Sequence, residues 1–157
     1  MKRLLFFFAF IVTGVTMSAQ NILGFNFGMT TEEAAEVSVD CDSIMIDEEA
    51  NTYLFTNVER KGIDYDLLVV LFDDDAKLST ITLGAEVKDL AEGAALQKKI
   101  IGNNKVIDSY DDPDLEGSKL YYVDETGDDN PEYVLAVIRV EEDGTMSVVA
   151  TFPRDWE

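Results

Sequence analysis

The sequence predicts an α+β fold: an antiparallel sheet built from hairpins, with two helices packed on one face. Two observations carry this. Short β-rich runs are joined by turn sequences such as Glu48-Glu49-Ala50-Asn51, Asp73-Asp74-Asp75-Ala76 and "EEDG", which suit antiparallel neighbours. The element order is helix, strands, helix, strands, which argues against alternating βαβ units and a parallel sheet.

The first helix follows Gly28-Met29. Thr30 can cap it while Glu33, three residues on, reaches back to the capping residue's own N–H. Glu32 and Glu33 put negative charge in the first turn, where the helix dipole favours it. A phosphate-binding glycine loop would need more glycines and no acids crowding the anion. Strands are expected over residues 43–47, 52–58, 65–72 and 78–83. The nearly continuous apolar run of residues 65–72 predicts a central strand buried on both faces. Over residues 86–101, Val87, Leu90, Ala91, Ala94 and Ile101 recur at helical spacing, and Gly102-Asn103 supplies a stop. Two acidic loops, "DSYDDPDLEG" and "DETGDDNPE", flank a strand at 119–123, and a long hairpin over 133–140 and 145–152 ends the chain.

Residues 1–19 read as a secretory signal peptide. Lys2 and Arg3 precede an apolar run from Leu4 to Val15, which is shorter than the ~20 residues of a spanning helix. Small polar residues end at Ala19, the expected cleavage point, and no Cys lies there to take a lipid. Residues 20–157 are then expected to form one α+β domain, secreted or periplasmic. Cleavage removes two of the 12 basic residues and none of the 32 acids, leaving a net charge of −22. Such a surface repels phosphate backbones and anionic headgroups, which argues against nucleic acid as a partner. It suits solubility, divalent cations or a cationic protein partner.

Cys41 is alone and flanked by Asp40 and Asp42, which disfavour a thiolate. With no histidine anywhere, Ser-His triads, Cys-His pairs and His-ligated zinc are excluded. The acids remain. An EF-hand loop from Asp124 fits oxygens at Thr126, Asp128 and Asn130, but its sixth and twelfth positions are Asp129 and Leu135, not Gly and Glu. From Asp108 those positions are Pro113 and Lys119. A looser calcium site drawn from Asp111, Asp112, Asp114, Asp124 and Asp128 is one expectation, and solvated turns the other. An acid-pair hydrolase is a further alternative, but no cleft is legible to perturb such a pair. No catalytic residue and no other cofactor is expected. Trp156 either anchors a partner or folds back over the core.

The stretch "FGMTTEEAAEV" resembles the Gly-Met-Thr/Ser-x-x-Glu-Val helix start of small exported modules, at Gly28, Met29, Thr30 and Glu33. These include SmpA/OmlA-type outer-membrane assembly lipoproteins and beta-lactamase-inhibitor-protein-like domains. "GIDYDLLVVLFDDDAKLSTITL" is similar to their hairpin pattern, so the resemblance covers roughly residues 24–84. It departs from them in having no lipidated Cys and no second copy of the Gly-Met-Thr start. The resemblance implies an adaptor or inhibitor role. The expectation is a non-catalytic binding module that engages an envelope protein.

Overall fold

The computed structural model of the chain describes residues 21–156, so the signal expected over residues 1–19 lies outside the described residues. No helix among the described residues is long and apolar enough to cross a membrane. The fold is α+β and mostly antiparallel sheet. A two-stranded piece, β1 (Asn21–Ile22) with β2 (Phe25–Asn26), leads into helix α1 (Thr31–Ala35). Four strands follow: β3 (Ser43–Asp47), β4 (Thr52–Arg60), β5 (Ile63–Phe72) and β6 (Leu78–Val87). Helix α2 (Leu90–Ile101) then precedes β7 (Lys105–Asp111), β8 (Lys119–Asp124), β9 (Tyr133–Arg139) and β10 (Met146–Pro153).

Each half is therefore a helix followed by a four-strand meander. The two meanders join at their last strands, giving the order β3-β4-β5-β6-β10-β9-β8-β7. The central pair is antiparallel, with Leu83 opposite Ala150 and Ala85 opposite Val148. Among the described residues, β3 and β7, the first strands of the two meanders, are the free edges.

Both helices begin with a side-chain cap. Thr30 Oγ1 accepts from Glu33 N at 3.1 Å while Glu33 Oε2 accepts from Thr30 N at 2.9 Å, the reciprocal box expected from the sequence. In α2, Asp89 caps, accepting from Glu92 N at 2.8 Å, and Glu92 reaches back to Lys88 N at 2.7 Å. Asp-x-x-Glu thus resembles Thr-x-x-Glu in spacing, but its Glu bonds the N–H one residue before the cap rather than the cap's own. The helix starts later than residue 86 because residues 86–87 complete β6. That shifts the packing face. Gly93 and Gln97 are buried and Leu90, Leu96 and Ile100 pack on the core, whereas Ala91 and Ala94 are exposed. A Cβ on Gly93 would lie 3.1 Å from Val137 Cγ2, so glycine lets the helix approach the sheet closely.

The core lies against one sheet face. Phe55, Leu68, Leu83, Ala150 and Leu135 are paired in turn across five adjacent strands, and all are buried. The β4–β5 ribbon helps to cover them. Pairing of β5 with β6 spans only residues 67–72, and Asp66 Oδ2 accepts from Glu86 N at 2.7 Å where the ladder ends. Opposite Asp66, Asn57 takes a left-handed φ of 53°, a conformation asparagine tolerates. Beyond this point the free ribbon carries Val58, Ile63 and Tyr65 into the core. Its tip turns at Lys61-Gly62, both at positive φ as a tight type I′ hairpin loop requires.

One expectation is corrected here. Strand β5 is not buried on both faces: Leu68, Val70 and Phe72 face the core, but Leu67 is 36% exposed and Val69 and Leu71 are half-buried. Nothing among the described residues forms a second layer over that outer face. The apolar run marks a sheet that is apolar on both sides and covered on one.

Candidate functional site

The chain offers three places where side chains gather: the loop after β8, a buried centre beneath the ribbon tip, and the uncovered surfaces of the sheet.

The loop is built on two buried carboxylates. Asp124 and Glu132 are 2% and 4% exposed, and their oxygens lie within 4.8 Å of one another and of exposed Asp128. Both are already satisfied as acceptors. Asp124 takes N–H groups from Gly127 at 2.6 Å and Asp129 at 2.9 Å, and Glu132 Oε1 accepts from the Thr126 hydroxyl at 2.7 Å. Burial alone would raise the Asp124 carboxyl. Backbone N–H donors from Gly127, Asp129, Asp128 and Thr126 outweigh burial and hold it below the usual carboxylate range. The arrangement pins a nine-residue excursion of backbone by its own side chains.

This loop contains two of the five carboxylates assigned above to calcium. Asp124 and Asp128 come together, joined by Glu132, which the sequence reading did not include. Asp111, Asp112 and Asp114 sit at the other end of the β7–β8 hairpin, where Asp111 pairs with Lys119 while Asp124 pairs with Lys105. The five are not brought to one place, because β8 runs between the two groups. Glu132 was legible only as an acid spaced eight residues from Asp124, across an acidic turn with one Gly and one Asn.

Next to that loop lies a buried ionic centre that ties the halves together. Arg60 donates to both oxygens of Glu125, at 3.0 and 2.8 Å, and Lys61 adds a 2.7 Å bond. The Arg60 and Glu125 side chains are only 14% and 10% exposed, and the guanidinium sits 5.1 Å from the centre of the Phe152 ring. Burial would raise the Glu125 carboxyl, but hydrogen bonds and charge from Arg60 and Lys61 bring it below its ordinary range. Burial pushes the neighbouring Tyr65 phenol up to about 12. Tyr133 moves in the same direction, chiefly by burial and then by the charge of Glu125. A small pocket of about 180 Å³ opens beside Arg60, Lys61, Glu125 and Glu132, holding both charge signs.

The outer sheet face is uncovered among the described residues. Leu54, Val69, Thr82, Thr151, Val134 and Tyr122 are paired in turn across six strands, all half-buried. Leu67 and Ile138 stand out further, at 36% and 46% exposure. Trp156 folds back onto this side: its ring lies 5.7 Å from that of Tyr122, which in turn meets Tyr110 edge-on at 5.9 Å. It remains 41% exposed, so it extends the apolar surface.

The face ends at β3, all of whose residues are exposed. Ile44, Met45 and Ile46 show 56%, 63% and 52% of their surface. Beside the start of β3 runs a groove of about 270 Å³ lined by Asp40, Asp42, Glu59, Asp64 and Asp66, with Cys41 and Tyr65. Glu59 and Asp64 are directly opposed across the ribbon, an unfavourable like-charge pairing. Sequence reasoning passed over this groove. Its signal is the alternation in "GIDYDL", where Ile63 and Tyr65 point inward and Asp64 and Asp66 outward.

No protein-family model matches this chain, and neither the curated proteins nor the solved structures contain a match.

Proposed function

We propose that the protein acts by binding, engaging a cationic protein partner of the cell envelope through the uncovered surfaces of its sheet. The observation that carries this is the outer face, a continuous six-strand row of half-buried apolar and threonine side chains with Leu67 and Ile138 exposed. Contiguous apolar surface of this kind is a feature of interaction sites. The acid balance of the chain, 32 carboxylates against 12 basic groups, favours a partner of opposite charge. The export signal expected over residues 1–19 supports the envelope as the setting, and the adaptor or inhibitor role implied by the resemblance in residues 24–84 agrees with it.

The test is site-directed photo-crosslinking in the native envelope. A photoreactive residue at position 67 or 138 is expected to capture one protein in near-equal amount. The same residue at Lys98, on the exposed side of α2, is expected to capture none. Equal capture from all three positions, or from none, would contradict the reading.

A calcium-dependent variant of this function rests on the Asp124–Asp128–Glu132 group. Calcium accepts irregular oxygen shells, and extracellular sites of this class bind at roughly 10⁻⁴ to 10⁻³ M. Calorimetric titration with calcium decides it. Heat that disappears in Asp128→Asn favours the metal, and no heat at millimolar calcium removes it.

A further inference from the structure

We propose that β3 is a strand-accepting edge: an extended segment of the cationic partner pairs with it as a ninth strand and seats a Lys or Arg in the adjoining acidic groove. The proposal deepens the binding function above and rests on it.

An edge strand exposes a row of unpaired N–H and C=O groups that template pairing with another chain. Proteins blunt such edges with lysines, prolines, bulges or a covering element. Strand β3, Ser-Ile-Met-Ile-Asp, has no lysine and no proline within it, and pairs with β4 in unbroken register from Ser43 to Asp47. Its three central side chains alternate, Ile44 and Ile46 on the core side and Met45 on the outer side, so an added strand would meet apolar surface on both faces.

Charge selects the occupant. Asp40 and Asp42 precede the strand, and Asp47, Glu48 and Glu49 close it. A second copy pairing antiparallel would set acids against acids at both ends, a repulsive register. A segment with an apolar centre and basic ends meets opposite charge at both. The groove adds to this selection. Five carboxylates line it, yet the only group of three gathered within 4.8 Å among the described residues is the one after β8. Spread carboxylates suit an ammonium or guanidinium on a flexible stem better than a single ion. A cation there would also relieve the opposed Glu59 and Asp64 pair.

The experiment titrates the full chain with an acetylated, amidated peptide, Lys-Arg-Val-Thr-Val-Thr-Val-Arg-Lys, followed by fluorescence anisotropy. A peptide with every basic residue replaced by Glu is the control. Saturable binding of the basic peptide alone is expected, weakened about tenfold or more by Met45→Pro. Because proline in β3 can disturb folding, Glu59→Gln/Asp64→Asn provides a second arm that keeps the strand intact. It is expected to weaken binding by about tenfold and to flatten its salt dependence. Val106→Pro, on the opposite edge, is expected to leave binding unchanged. Undiminished binding to both β3-side variants overturns the proposal. So does concentration-dependent dimerisation that Met45→Pro abolishes, which would assign the edge to a second copy. If the peptide fails to bind while positions 67 and 138 still capture a partner, the edge proposal falls and the binding function stands. If both fail, both fall.

Discussion

The two free edges of the sheet are made of similar material and finished differently. Strand β7, like β3, shows large apolar side chains, with Val106 at 38% and Tyr110 at 53% exposure. There the resemblance stops. Pairing of β7 with β8 shifts register between Val106 and Asp108, a bulge that bends an edge away from flat pairing. Lys105 on β7 is paired with Asp129, and Asp111 at its other end with Lys119. The Tyr110 hydroxyl donates to Asp108, and its ring packs on Tyr122. Strand β3 has an even register and no cation of its own. Among the described residues, one edge is protected and the other is left unpaired; carboxylates flank both, but those beside β3 have no cation on the strand itself to pair with.

The most disruptive way to break this comparison is to break the sheet's two halves apart. Arg60 reaches from the first half to Glu125 in the second, both largely buried. Arg60→Ala leaves Glu125 with only the exposed Lys61, and is expected to cost about 3 kcal/mol in denaturant unfolding. A loss below about 1 kcal/mol would mean that the tie is not structural.

The same centre and the loop beside it contribute to the acid response. Asp124 and Glu125 both titrate below their ordinary range in the folded chain. Their contribution is therefore complete above the unfolded carboxylate pKa of roughly 4 and is lost as pH falls through the lowered folded values. Tyr65 behaves oppositely. Its raised pKa of about 12 contributes below the unfolded value of roughly 10 and is lost as pH rises through the folded one. Thermal melts across pH are expected to fall at both extremes, and Tyr65→Phe to remove part of the alkaline fall.

Smaller effects separate the halves. Thr30→Ala removes one side of the α1 capping box and is expected to cost about 1 kcal/mol. Amide exchange should quicken around residues 30–36 and stay unchanged in α2, which has its own Asp89 cap. Smallest of all is Met45→Lys. At 63% exposure it should move stability by no more than about 0.5 kcal/mol in a melt, while installing on β3 the charge that edges normally carry.

Local chemistry was legible in the sequence, and chain-crossing geometry was not. The α+β class, the Thr30–Glu33 box and the turn sequences follow from spacings of two to four residues, which fix backbone hydrogen bonds directly. Residues 108–111, expected within an acidic loop, belong to β7, because "KVIDSYD" mixes acids with apolar residues, as an exposed edge can. The apolar run of β5 predicts burial on both faces, but such a run reports affinity for a sheet, not how many layers cover it. The acidic groove draws on residues 40–42, 57–59 and 64–66, and the ionic centre on residues 60 and 125. Both exist only because the ribbon leaves β6 at Asp66 and folds over the core, a path that no local pattern encodes.

The most direct test of the account is hydrogen–deuterium exchange of the full chain with and without the basic Val-Thr peptide. The account predicts slowed exchange at residues 43–47 with no change at residues 105–111. Equal slowing at both edges, or at neither, would contradict it.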